Sequence, residues 1–144
     1  MLNNAFRAMR ISASGLAAER MRMDLISSNI ANYNSIKTDN TEAYKRKIAV
    51  FAQCLDRSKS GMDKFKGVKV ASIIEDNAPS KMMYDPTHPN ANAEGFVETS
   101  NVNILNEMAD MIMATRAYES NADTFNANKQ MFISDASIWE TEMV

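Results

Sequence analysis

Stepping in sevens from Ile104 meets Met111, Tyr118, Phe125, Phe132 and Trp139, all apolar or aromatic. The intermediate row of Met108, Thr115, Ala122, Lys129 and Ala136 is mixed, and Leu105, Ile112 and Ile133 widen the stripe. No Gly or Pro interrupts residues 101–139, so the pattern predicts one long helix of coiled-coil type. At 1.5 Å per residue it would extend about 55–60 Å, more stripe than a chain of this size can bury by itself. Residues 2 to about 32 repeat the pattern through Leu2, Met9, Leu16, Met23 and Ile30. Gly15 is the weak point of this helix, costing about 1 kcal/mol relative to Ala. The small residues around it (Ser12, Ala13, Ser14, Ala17, Ala18) would let another helix approach closely. Asn32 and Asn34 are expected as left-handed C-caps.

Between the helices the period falls to two. Tyr44 to Phe51 and Gly67 to Asp76 read as strands, and Gly95 to Thr99 as a third. Residues 77–94 hold all three prolines and read as a stiff loop, and Asn103 is positioned to cap the last helix, with Glu107 in its first turn. The expected fold is therefore mainly α. Its long N- and C-terminal helices would form an antiparallel coiled-coil-like hairpin, with a small β-containing middle segment. The expected division is 1–34, 35–100 and 101–144. Formal charge favours pairing the two helices with each other, because residues 2–32 carry +2 and residues 101–139 carry −3.

Composition narrows the function. Four glycines in 144 residues suit long helices, and twelve methionines suit adaptable apolar surfaces. A net charge of −2 gives no electrostatic footprint for nucleic acid. The single Cys54 rules out an internal disulfide framework, and the single His88 rules out a His-rich metal site. The longest apolar run, Ile48 to Ala52, is far too short to span a bilayer, and the N-terminus has no apolar core of a cleavable secretory signal.

Few residues could carry chemistry. Asp85 and His88 form the only acid–histidine pair close in sequence, but they sit between prolines with no nucleophile nearby, so turn chemistry explains them better. Lys45-Arg46-Lys47 in an acidic chain reads as a solvated strand edge rather than a nucleic-acid patch. Cys54 reads as a packing residue, and no phosphate loop, CxxC pair or HExxH motif is present. No cofactor, metal or small-molecule substrate is expected. The helix rows are the candidate site: Leu2, Met9, Leu16, Met23, Ile30, Ile104, Leu105, Met108, Met111, Ile112, Tyr118, Phe125, Phe132, Ile133 and Trp139 would serve helix pairing and subunit contact. In the last helix Leu105, Ile112, Met113 and Ile133 make the apolar sector wider than a two-helix seam uses, which suggests further helices from other subunits.

Two stretches resemble a known family. Ile11-Ser12-Ala13-Ser14-Gly15-Leu16-Ala17-Ala18-Glu19-Arg20 with Ser28-Asn29-Ile30-Ala31-Asn32 is similar to the N-terminal signature of bacterial flagellar axial proteins. Asn101-Val102-Asn103, Glu107-Met108, Met111-Ile112 and Thr115 to Asn121 resemble their C-terminal signature. The short middle, with Tyr84 to Ala91 followed by Glu94-Gly95-Phe96-Val97, resembles the basal-body rod members of the proximal rod. The chain departs from the family where a Gly/Pro turn is usual, at Asn40 to Tyr44, and in its acidic tail after Trp139. The resemblance implies a non-enzymatic structural subunit of the flagellar basal body. It would be exported by the flagellar type III apparatus without a cleaved signal peptide and assembled into a rod crossing the periplasm. Its partners would be copies of itself, other rod proteins, the inner-membrane ring and the export apparatus. The competing reading is a helical adaptor or chaperone of that export pathway.

Overall fold

A computed structural model of the chain describes the backbone of residues 2–38, 40–56 and 64–141, and the side chains of 6–38, 40–55 and 65–134. The elements run α1 (Leu2–Ala31), β1 (Lys47–Asp56), β2 (Lys64–Glu75), β3 (Lys81–Tyr84), β4 (Phe96–Thr99) and α2 (Ile104–Thr141). Strands β1 and β2 form one two-stranded sheet and β3 and β4 another. The expected mainly α class, with only a small β-containing middle, is thereby corrected. The chain is close to half helix and a quarter strand, with two small antiparallel sheets. The strand content exceeds the expectation for two reasons. Strands β1 and β2 run to 10 and 12 residues. Strand β3 lies inside the stretch read as a proline-stiffened loop, where Lys81-Met82-Met83-Tyr84 falls between Pro79 and Pro86.

Contacts divide the chain into two compact units. Unit 1 comprises 1–21, 51–71 and 114–144, and unit 2 comprises 22–50 and 72–113. Within unit 1 the two helices meet through small residues. Gly15 is buried, and a Cβ there would stand 2.8 Å from the Asn121 side-chain oxygen. Ser12, Ala18 and Ala114 are buried in the same unit, and the Phe6 and Phe132 rings lie 5.0 Å apart between centroids. Ser14 Oγ donates to Ile11 O at 2.6 Å and accepts from the Val68 amide at 3.1 Å, tying the helix to β2. Gly67 beside it has a φ of +120°, a backbone conformation that side chains resist.

In unit 2, β3 and β4 pair antiparallel with Lys81 opposite Thr99 and Tyr84 opposite Phe96. The segment after α1 extends this sheet on the β4 side. The Lys37 amide donates to Glu98 O, the Ser100 amide donates to Ser35 O, and Ile36 bridges Thr99. Val97 and Val102 are sealed beneath, with Ile26 and Ala43. The expected caps are half right. The Asn103 side-chain oxygen accepts from the Leu105 amide at 3.1 Å, an N-cap contact contributing about 1 kcal/mol. Asn32 and Asn34 are not left-handed, because no non-glycine residue among those described has positive φ. Instead the Asn32 amide nitrogen donates back to Ser28 O.

Candidate functional site

The largest fully buried side chain among the described residues is not apolar. It is Glu107, with none of its surface exposed, followed by Val97, Val102 and Asn29. A buried carboxylate is costly unless both oxygens are satisfied. Here Oε1 accepts from Arg46 Nε and Oε2 accepts from Asn29 Nδ2 at 2.9 Å. Arg46 then reaches Asp110 Oδ2 through Nη2 at 2.9 Å, and Asp76 Oδ2 stands 3.9 Å from its Nη1. Arg22 approaches the other Asp110 oxygen at 3.5 Å. Burial works against the Arg46 charge. The hydrogen bond to Glu107 and the fields of Glu107, Asp110 and Asp76 outweigh it and hold the guanidinium above its ordinary range.

Two carboxamides complete this lock. Asn29 accepts the Lys47 amide proton through Oδ1 and donates to Lys47 O through Nδ2, both at 2.9 Å, so a helix side chain completes the start of β1. The Tyr44 hydroxyl donates to the same Oδ1 at 3.0 Å and stands 3.2 Å from Ser28 Oγ. Asn101 accepts from the Arg46 amide at 2.8 Å and donates to Asp76 O and Ala78 O. One arginine and three polar partners thus fix the end of α1, the start of β1, the end of β2 and the first turn of α2 within unit 2. Each of Glu107, Asp110 and Asp76 faces a cation or a carboxamide. The arrangement holds chain segments in register.

The basic triplet is therefore corrected. Lys45 is exposed as expected of a strand edge, but Arg46 points inward and the Lys47 ammonium lies 5.5 Å from the centre of the Tyr44 ring. Glu107 does more than favour the helix dipole: its carboxylate closes the lock. Sequence reasoning missed Arg46, Asn29, Asn101 and Glu107 as one site. The available signal was that three of the four fall in the two stretches that carry the family resemblance. Asp85 and His88 do turn chemistry. Asp85 Oδ1 accepts from Thr87 N and Thr87 Oγ1, bonds that with the nearby His88 hold its carboxyl below the usual range, and His88 Nδ1 accepts from the Asn90 amide. Cys54 is a free, half-buried thiol. Among the described residues no group of His, Cys, Asp and Glu is placed to hold a metal, and no helix is long and apolar enough to cross a membrane.

The helix rows separate into two classes. Met9, Leu16, Met23, Ile30, Ile104, Met111, Tyr118, Phe125 and Phe132 are half-buried. Leu105, Met108, Ile112 and Ile133 are exposed at 73%, 53%, 64% and 55%, as is the neighbouring Met113. The side chains of Leu2 and Trp139 lie outside the described residues.

Comparison with known proteins adds sequence-wide similarity. Residues 9–35 match the family described as flagella basal body rod protein. Residues 93–136 match the family described as flagellar basal body rod FlgEFG protein C-terminal. The chain is similar to the flagellar basal-body rod protein FlgC of Bacillus subtilis, 39% identical over an alignment that covers 93% of this chain and 97% of the relative. It is 38% identical to the protein of that name from Borreliella burgdorferi, covering 92% and 96% of the two chains. It is 35% identical to that from Salmonella typhimurium, covering 89% and 92%.

Proposed function

The chain belongs to the FlgC family of flagellar basal-body rod proteins and is a structural subunit of the proximal rod, and from that premise we propose how it works. It assembles with copies of itself and with other rod proteins into a tubular drive shaft for flagellum-dependent motility. The helix rows supply the contacts. The observation that carries this reading is the end-to-end similarity to FlgC relatives, over 93% and 97% of the two chains in one case. The structure supports it through surface chemistry. Large apolar side chains stand exposed along α2, where a neighbouring subunit would cover them.

In the assembled rod, Met9, Leu16, Met23, Ile30, Ile104, Met111, Tyr118, Phe125 and Phe132 pair the helices. Leu105, Met108, Ile112 and Ile133 meet neighbouring subunits, and Leu2 and Trp139 extend the two rows. The subunit leaves the cytoplasm through the flagellar type III apparatus without cleavage and joins a rod that crosses the periplasm. Its partners include the inner-membrane ring and the export apparatus. It catalyses no reaction and uses no cofactor, small-molecule substrate or nucleic acid.

The test replaces the resident rod gene of a motile bacterium with this chain or its variants. Tyr118→Asp and Phe125→Asp place a charge at a half-buried row position and should abolish hooks and filaments while export of the subunit continues. Rods of normal length built from either variant would refute the proposed rows. Loss of the gene with the rod left intact would favour the adaptor or chaperone reading.

A further inference from the structure

The two units differ in charge. Unit 1 holds 10 Lys and Arg against 8 Asp and Glu, a formal +2, whereas unit 2 holds 6 against 10, a formal −4. Unlike charges on two parts of one subunit favour contacts between unlike surfaces of successive copies, and disfavour contacts between like ones.

Each unit also presents one side of a helix to solvent. In unit 1 the outward row of α1 is Phe6, Arg10, Ala13, Ala17 and Arg20, all exposed and spaced four, three, four and three residues apart. Its centre is two alanines and its flanks are two arginines. In unit 2 the outward row of α2 is Leu105, Met108 and Ile112, at i, i+3 and i+7, with 73%, 53% and 64% of their surfaces exposed. A ridge of long apolar side chains fits a shallow face of alanines, because small residues let helix axes approach until the ridge is covered. Two alanine faces together would bury little, and two ridges would hold the helices apart.

We infer that the Leu105–Met108–Ile112 ridge of one copy docks on the Ala13–Ala17 face of a second copy, with Arg10 and Arg20 of the second copy drawn to the acidic unit of the first. The contact joins unlike surfaces, so a copy whose ridge is covered still offers its alanine face to another copy. It rests on the reading of this chain as a self-associating rod subunit and names the surfaces that reading leaves open.

The test uses the full-length chain with Cys54→Ser, so that engineered thiols are the only ones. One preparation carries Ala17→Cys and the other, distinguished by a tag, carries Ile112→Cys; both positions are exposed, and circular dichroism checks that each preparation is folded. Under mild oxidation the mixture should give disulfide-linked dimers joining the two preparations at least about tenfold above the like-with-like dimers, since only unlike surfaces meet. Adding Arg10→Glu and Arg20→Glu to the Ala17→Cys chain should lower that yield about tenfold, and added salt should lower the unmodified yield as well. Ile112–Ile112 dimers equal to or exceeding the mixed product would overturn the inference, and so would the absence of any linked product. Arginine reversal without effect would overturn the electrostatic part. Failure here while Tyr118→Asp still blocks rod assembly would leave the rod reading standing with different surfaces. Rods built normally from Tyr118→Asp would remove the reading on which this inference rests.

Discussion

Replacing Arg46 with alanine puts the lock under the most direct strain. Glu107, with no exposed surface, would lose the Arg46 guanidinium and keep the Asn29 amide. Asp110 would keep Arg22 at 3.5 Å, and Asp76 would lose its distant partner. Removing one member of a buried ion pair costs about 3–5 kcal/mol, because the remaining charge stays desolvated without compensation. A quarter of the Arg46 side chain is exposed, so water can partly replace it and the cost should fall near the lower figure, about 3 kcal/mol. Glu107→Gln removes the charge but leaves a carbonyl for Asn29, and Arg46 keeps Asp110; this should cost about 1–2 kcal/mol. Combining Arg46→Met with Glu107→Gln removes both charges while keeping most of the volume, and should be less harmful than Arg46→Ala alone. The readout is amide hydrogen exchange at Lys47 and Asp76, whose amides are bonded within unit 2, because a global melt would mix the two units. The reasoning fails if Arg46→Ala and Glu107→Gln shift exchange equally, or if the double variant is worse than Arg46→Ala.

Two further outcomes follow from local geometry. Gly67→Ala forces a side chain onto a φ of +120°, with its Cβ 2.1 Å from Ser14 Oγ, and should lower unit 1 stability by more than about 1 kcal/mol; pairing it with Ser14→Ala should recover only part, because the backbone strain remains, as amide hydrogen exchange along the part of α1 within unit 1 would show. The Ser80 hydrogen bond and then Lys37 depress the Glu98 carboxyl, while Glu42 and then Glu98 raise the Lys37 ammonium. The Glu98 share of stability should therefore be complete above 4.5 and fade as pH falls through its lower folded value, whereas the Lys37 share should be complete below 10.5 and fade as pH rises through its higher folded value. Carboxyl titration followed by NMR checks the first, and an upward move of Glu98 in Ser80→Ala larger than in Lys37→Met is expected.

The helices were legible because periodicity and the absence of breakers act locally. The expected start at residue 2 and the cap at Asn103 agree with α1 and with the first turn of α2. What the heptads could not tell was how close the helices come. The most buried positions of α1 are Ser12, Gly15, Ala18, Ile26 and Asn29, a row of mostly small or polar residues beside the apolar one. A hydrophobic count ranks such a row as surface, although in unit 1 it is where the side chain of Asn121 comes against Gly15. Strand β3 was hidden for a different reason: its prolines flank it and do not interrupt it. The lock was illegible because its meaning depends on partners far away in sequence. A Lys-Arg-Lys triplet carries no local sign that its middle member turns inward, and an acid in a first helical turn has a sufficient explanation in the helix dipole alone.

The same distances bear on when this protein can fold. Arg46 is 61 residues from Glu107 and 64 from Asp110, and Asn29 is 78 from Glu107. Closing such long loops costs entropy that no local contact repays, so unit 2 has little reason to form until both ends of each loop exist. During synthesis residues 22–50 emerge well before Glu107, and for that interval Asn29 and Arg46 lack the carboxylate that joins them. Unit 2 is a latecomer to its own fold, committed only once the first turns of α2 have been made.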